Sequence, residues 1–509
     1  MKFLLYTLWT EYNCFPTALR IRKKTFGDHS TEVAAIINDV GVIQLRRGQN
    51  DVARNCFLEA ERVWKTHGGN PEYLGETLVN LGEIYHTDRK YGEAINNFNE
   101  ALIIFESVHG NTHLSIALVQ YKLGKSLKEQ HDYDKAVTSF ERALSIRSNQ
   151  LGNNNMLVAE VLKDLGALCL ILGDLLQARA YLSEALNTMN SKNPNGLATA
   201  DTFYHTGKVM MKMKYKDEAF EAFSNALKIK RRRLEEDDLG IADTLAEMGL
   251  IEEERNQLQN SVEFYRQALQ IRQSLLGDHE LVADSHFSIG VVQQTIRKHH
   301  KALSSYGSAL VVYQKVLGDD HITCAKTMNN IGIVYEAIED YDEALKYHKE
   351  GLRIRTINLG KDHIKIANSL DNIAGIYQRQ QESDKALQSL KESLKIRSRF
   401  GTDNLDVATT LFGMGIIYVD IGDTSKALEC YESALEIRKR KGKEFEVAQS
   451  LHNIGSLWAM RQDYKKALKH WQNALQIYRR TLNDDHHMVA CTLGNIKMAE
   501  NMLEENSQF

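Results

Sequence analysis

The chain has 509 residues, 63 basic and 67 acidic, for a formal net charge of −4, which gives no reason to expect nucleic acid or a membrane surface as a partner. One ordinary domain seldom passes about 250 to 300 residues, so this length calls for several domains or an array that grows by stacking. Only 3 residues are proline where average usage would give about 25, which excludes Pro-rich linkers and points to an all-helical chain joined by short turns.

At the amino terminus the apolar stretch from Phe3 to Trp9 is too short to span a bilayer. A single Lys2 ahead of it, with no clear small-residue cleavage site, does not make an export signal. Ala18-Leu19-Arg20-Ile21-Arg22 matches the end of the second helix of the later repeats. Residues 1–28 are therefore expected to be a partial repeat, helix B only, with Pro16 where it would kink or stop a helix.

From residue 29 onward the sequence repeats. Gly41, Gly82, Gly124, Gly166, Gly207, Gly249, Gly290, Gly332, Ala374, Gly415 and Gly455 follow one another at intervals of 40 to 42 residues, a period that takes precedence in choosing a fold. Twelve and nineteen residues past these anchors stand small residues, as in Ala94 and Ala101 or Ala136 and Ala143. Seven apart, they share one helical face. Sixteen past the anchor comes a ring or Leu: Phe57, Phe98, Phe140, Leu182, Phe223, Tyr265, Tyr306, Leu390, Tyr431 and Trp471, with only His348 polar. A glycine inside a helix costs about 1 kcal/mol relative to alanine, so one per repeat implies two backbones in close approach. Each repeat reads as a helix A, a short turn and an antiparallel helix B.

Asn80-Leu81-Gly82-Glu83-Ile84-Tyr85, followed by Tyr91-Gly92-Glu93-Ala94 and Ala101-Leu102, resembles the tetratricopeptide repeat. The usual period is 34, and about eight extra residues amount to two further helical turns. The turns Leu276-Gly277-Asp278-His279, Leu317-Gly318-Asp319-Asp320-His321 and Leu359-Gly360-Lys361-Asp362-His363 narrow the resemblance to the long-helix repeats of kinesin light chains and their relatives. It implies a right-handed α-α superhelix, a tetratricopeptide-repeat solenoid of about 24 antiparallel helices, with eleven repeats over residues 29–485. Residues 486–509 are expected to be a capping helix and tail, as open solenoids need. The heptad segment by which kinesin light chains join their motor is not seen here.

Candidate chemistry is declined residue by residue. His113, His279, His321, His363 and His486 share one repeat position. At about 8 to 10 Å per helix layer they cannot share an ion whose ligands sit near 2 Å, so they are expected to order the turn or cap the next helix. Gly124-Lys125-Ser126 imitates a phosphate loop, but Val119 stands where its first glycine is required. Lys228 to Arg233 reads as a solvated helix end neutralised by Glu235 to Asp238. The six cysteines form no CxxC pair, which fits a reducing, cytoplasmic setting. Cys14, Cys56 and Cys430 read as small packing residues. No enzyme activity, cofactor or metal is expected.

The positions three and two before the anchor, and one, four and five after it, point away from the core of helix A. In tetratricopeptide arrays that side lines the concave groove. In the third to fifth repeats it carries Lys122, Lys125, Lys128, Lys163, Lys208 and Lys212, with Asp164 and Glu129 opposing; in the sixth it turns acidic, with Glu247, Glu253, Glu254 and Asp243. From the seventh it carries Phe287, Asn329, Asn330, Asn372, Phe412, His452 and Asn453, joined by Asp371. Carboxamides offer donor and acceptor to an extended backbone, and rings can hold an apolar side chain. The reading is a non-enzymatic scaffold that binds an extended, acidic protein segment. The alternatives are a cargo adaptor in a motor or cytoskeletal complex, and the regulatory or sensor arm of a larger signalling enzyme.

Overall fold

The computed structural model describes Thr25, Gly27, residues 30–483 and residues 485–507, with side chains as far as Glu504. Of the partial repeat expected over residues 1–28 only Thr25 and Gly27 are described; Pro16 and Cys14 lie outside the described residues. Among the described residues are 23 α-helices and no strand. The chain divides into two compact bodies, Met1–Asn256 and Gln257–Phe509.

In the amino-terminal body the helices are α1 Thr31–Arg46, α2 Asn50–His67, α3 Pro71–Thr87, α4 Tyr91–His109, α5 Leu114–Glu129, α6 Tyr133–Leu151, α7 Met156–Leu172, α8 Leu175–Lys192, α9 Leu197–Lys212, α10 Lys216–Arg233 and α11 Leu239–Glu254. In the carboxy-terminal body they are α12 Leu258–Leu276, α13 Glu280–Thr295, α14 His299–Leu317, α15 Ile322–Ala337, α16 Tyr341–Leu359, α17 Ile364–Arg379, α18 Ser383–Ser398, α19 Leu405–Asp420, α20 Thr424–Arg440, α21 Glu444–Met460, α22 Tyr464–Thr481 and α23 His487–Ser507. Odd-numbered helices are A and even-numbered ones are B. Within each body a helix packs on its sequence neighbours, most closely inside the A–B hairpins.

The period explains the packing. The small residues twelve and nineteen past the anchor are fully buried, among them Ala53, Ala60, Ala94, Ala101, Ala136 and Ala143. The anchor glycines have a different purpose from the one the sequence implies. A methyl group on Gly82 would fall 2.5 Å from Phe98, on Gly290 2.7 Å from Tyr306 and on Gly455 2.7 Å from Trp471. Each glycine is thus the seat of its own repeat's ring, and close approach is of ring to backbone rather than of backbone to backbone. In the eighth repeat the ring on Gly332 is His348.

Hydrogen bonds close the helix ends. Nδ1 of His113, His279, His321, His363 and His486 accepts from the amide two residues on, over 3.1 to 3.3 Å. These histidines are N-caps, as the sequence leads one to expect, and satisfy an amide a helix would otherwise leave unpaired. Between A and B the backbone turns left-handed seven residues past the anchor, at φ 61° in Arg89 and 64° in Glu339.

Candidate partner-binding face

The cationic part of the A-helix face lies in the amino-terminal body, on α5, α7 and α9. Most of its charges are answered inside the chain. Lys122 forms an ion pair with Glu83 of α3. Lys128 lies 3.5 Å from Glu129, Lys163 lies 3.3 Å from Asp164, and Lys208 lies 3.1 Å from Glu247 of α11. Asp164 also accepts from the Tyr121 hydroxyl at 2.6 Å. Lys125 and Lys212 are exposed, and among the described residues no carboxylate lies within ion-pairing distance of either. Lys125 stands 5.8 Å from the centre of the Tyr121 ring.

The lysines do converge. Half-buried His205 on α9 is pushed down to about 4, by desolvation first and then by Lys163, Lys128 and Lys208, with Asp164 opposing. Lys122 is lowered to about 8, chiefly by burial and then by Lys125 and Arg147. Lys122 and Lys125 line a cavity of about 280 Å³ with Leu45, Glu83, His86, Thr87 and Phe98. There His86 donates to or accepts from Ser126 at 2.9 Å, so Gly124-Lys125-Ser126 is the middle of α5 and no phosphate loop. The acidic residues Glu247, Glu253 and Glu254 follow on α11, where Glu254 pairs with Lys216 at 3.3 Å.

In the carboxy-terminal body the face is carboxamide and aromatic. Asn372 on α17 donates to Asn329 Oδ1 on α15 at 3.0 Å, and Asn330 donates to the Tyr306 hydroxyl at 3.4 Å. Phe287 lies 5.5 Å from Tyr306 and under Lys326 at 4.4 Å. Phe412 lies 5.2 Å from Tyr431 and under Arg438 at 4.3 Å. Asn453 lines a cavity of about 290 Å³ with Asp420, Tyr431 and Met460. Two expectations need correction. His452 is buried and bonded to Thr492 at 3.0 Å, so it faces the packed interior. Asp371 is held by Arg397 at 2.5 Å, so it is a structural counter-ion rather than an open acceptor.

Sequence reasoning missed a second register. Twenty-three residues past the anchor stand Arg147, Lys230, Arg272, Arg355, Arg397 and Arg438, five of them buried and Arg355 half-buried. Five of them bond a hydroxyl on the next A helix, five residues before its anchor: Thr244, Ser285, Ser369, Thr410 and Ser450. Arg147, facing Val161 there, bonds the Leu157 carbonyl at 2.7 Å instead. Lys228 to Arg233 is therefore not simply a solvated end: Lys230 turns inward to the Gly240 carbonyl at 3.2 Å. The signal was visible as a basic residue and a Ser or Thr at a constant separation, but a terminal Arg or Lys on a helix reads as surface.

The other candidates have packing roles. Burial pushes the Cys56 thiol up and the Cys430 thiol up to about 11, away from the thiolate a nucleophile needs. Among the described residues no helix is long and apolar enough to cross a membrane.

The family model described as tetratricopeptide repeat matches residues 73–149, 115–191, 240–310, 281–357, 359–440 and 446–508, well over half of the chain. The chain belongs to the tetratricopeptide repeat family. Among solved structures the chain is similar to BtubC (BKLC) from P. vanneervenii, 19% identical, covering 45% of this chain and 92% of that one at a TM-score of 0.40. Apo RapI is 19% identical, covering 56% of this chain and 99% of that one at 0.42. A Signal Transduction ATPase with Numerous Domains (STAND) protein with a tetratricopeptide repeat sensor, from Pyrococcus horikoshii, is 14% identical at 0.54. That match covers 72% of this tetratricopeptide chain and 53% of the archaeal one, so the chain spans about half of that protein's length and shares its fold. No curated protein sequence matches this one.

Proposed function

We propose that this tetratricopeptide protein is a non-catalytic, cytoplasmic scaffold of eleven repeats over residues 29–485, and that its A-helix face binds an extended acidic segment of a partner protein. The observation that carries this reading is that Lys125 and Lys212 stand exposed on the A-helix face with no carboxylate within ion-pairing distance among the described residues, while Lys128, Lys163 and Lys208 from three successive A helices act together on the imidazole of His205. Like charges gathered on one face raise the local potential, and an acidic partner relieves it most simply. The carboxamides and rings of the carboxy-terminal body supply backbone contacts and an apolar anchor. A motor or signalling-enzyme partner would be recognised by co-purification.

The test is charge reversal at the two lysines that the chain leaves without a partner. A fluorescein-labelled peptide carrying one Trp among Asp and Glu residues should bind the parent protein, more weakly as salt rises. Lys125→Glu with Lys212→Glu should weaken that binding by tenfold or more, about 1.4 kcal/mol, with helical circular dichroism unchanged. Lys228→Glu, on the exposed side of α10, is the control and should change it less than about twofold. Equal binding by the parent and the double reversal would overturn the reading.

A further inference from the structure

Four of the six cations of the second register share an arrangement that Arg355 lacks. Four lie against the side chain three residues before their own anchor. Arg147 sits 4.7 Å from the Tyr121 ring, Lys230 4.8 Å from the Tyr204 ring and Arg438 4.3 Å from the Phe412 ring, while Arg397 is ion-paired to Asp371. Each of the four also has a carboxylate acting on it: Asp164 and Glu160 on Arg147, Asp201, Asp243 and Asp238 on Lys230, Glu446 on Arg438 and Asp371 on Arg397.

Arg355 has none. Its Nη1 donates to Ser369 at 2.5 Å, and among the described residues no carboxylate lies within ion-pairing distance. Burial alone lowers its basicity, and the ionisable side chain it acts on is the buried imidazole of His348. The repeat register explains why. The position held by Asp371 in the ninth repeat is Asn329 in the eighth, and the position of Asn368, which accepts from Arg397 at 2.8 Å, is Lys326. A carboxylate and a carboxamide have been exchanged for a carboxamide and a second cation. Arg355 nonetheless remains partly exposed.

A guanidinium partly withdrawn from water without a counter-charge is a costly arrangement, and its planar fork matches a carboxylate in two parallel hydrogen bonds. We propose that Arg355 is the docking point for a carboxylate brought by the bound partner segment, the Asp or Glu side chain taking the place that Asp371 fills for Arg397, with Asn329 and Lys326 beside it. The inference rests on the A-helix face being the partner surface and names one acidic contact on its carboxamide part.

The experiment uses the full chain and a random twelve-residue peptide library displayed on phage, selected against the parent protein. Selected peptides should carry Asp or Glu at one position, and changing that residue to its amide should weaken binding to the parent about tenfold, as loss of a charge-assisted pair does. Against Arg355→Gln the same change should matter less than twofold. Asn329→Asp supplies the missing carboxylate from within the chain, so it should abolish the preference for the acidic peptide while raising the melting temperature by about 2 to 4 °C. An acid-to-amide loss as large in Arg355→Gln as in the parent would overturn the proposal. If no peptide is selected, the partner-face reading fails first, and the melting temperature of Asn329→Asp still decides the charge argument: a rise supports an unanswered Arg355, and a fall overturns it.

Discussion

The two bodies carry the same register with opposite charge logic. In the amino-terminal body the A-helix face is rich in lysine, yet Lys122, Lys163 and Lys208 each have a carboxylate from the same or a neighbouring A helix. In the carboxy-terminal body that face is neutral, Asn372 bonds Asn329, and the cation behind it, Arg355, has only a hydroxyl. Each body holds an imidazole near 4, half-buried His205 among lysines and buried His348 beside Arg355. Abundant surface charge therefore does not identify where a partner's charge is needed. What counts is whether the chain has already supplied the counter-ion, and a repeat protein lets each position be checked against its own equivalents.

The largest expected effect separates the answered cation from the unanswered one. Arg397→Met strands Asp371, whose carboxyl burial already pushes up, and should cost about 3 to 5 kcal/mol, as breaking a buried pair does. Arg355→Met removes a charge that nothing balances and should cost no more than about 1 kcal/mol, the value of one hydrogen bond. Urea titrations of the two variants measure the difference. Equal losses would mean that the register sets stability whatever faces it.

A smaller effect concerns His348, whose ring nitrogens have no hydrogen-bond partner. Its imidazole is held down to about 4 by burial and then by Arg355, so between pH 6.5 and 4 the unfolded chain takes up a proton that the folded one refuses. Its contribution to stability is present above about pH 6.5 and is lost as pH falls toward 4. His348→Phe restores the ring seen on Gly82 and Gly124. It should add about 1 kcal/mol at pH 7 and flatten the decline between pH 6.5 and 4, measured by melts across that range. A steeper decline in the variant would place the acid sensitivity elsewhere, His205 first.

Much of this was legible in the sequence because it is written once per repeat. The anchors, the buried alanines, the large residue sixteen past each anchor and the capping histidines all follow from a period of about 42 residues, whereas the seating of that residue on the glycine did not. The face residues were legible as positions but not as states. Nothing in a linear pattern says that Lys122 reaches Glu83, 39 residues earlier, or that His452 turns toward Thr492. The inward Arg and Lys register was missed because long basic side chains at helix ends usually snorkel to water. Here a Ser or Thr on the next helix draws them in, a pairing seen only when two successive repeats are laid side by side.

The central claim, that the A helices rather than the B helices receive the partner, is tested most directly by photo-crosslinking. An acidic peptide bearing a diazirine in place of its aromatic residue would be bound, irradiated and the adducts located by mass spectrometry. The account places adducts on α5, α7 and α9 or on α13, α15 and α17. Adducts confined to the outer positions of α4, α6, α14 and α16 would contradict it.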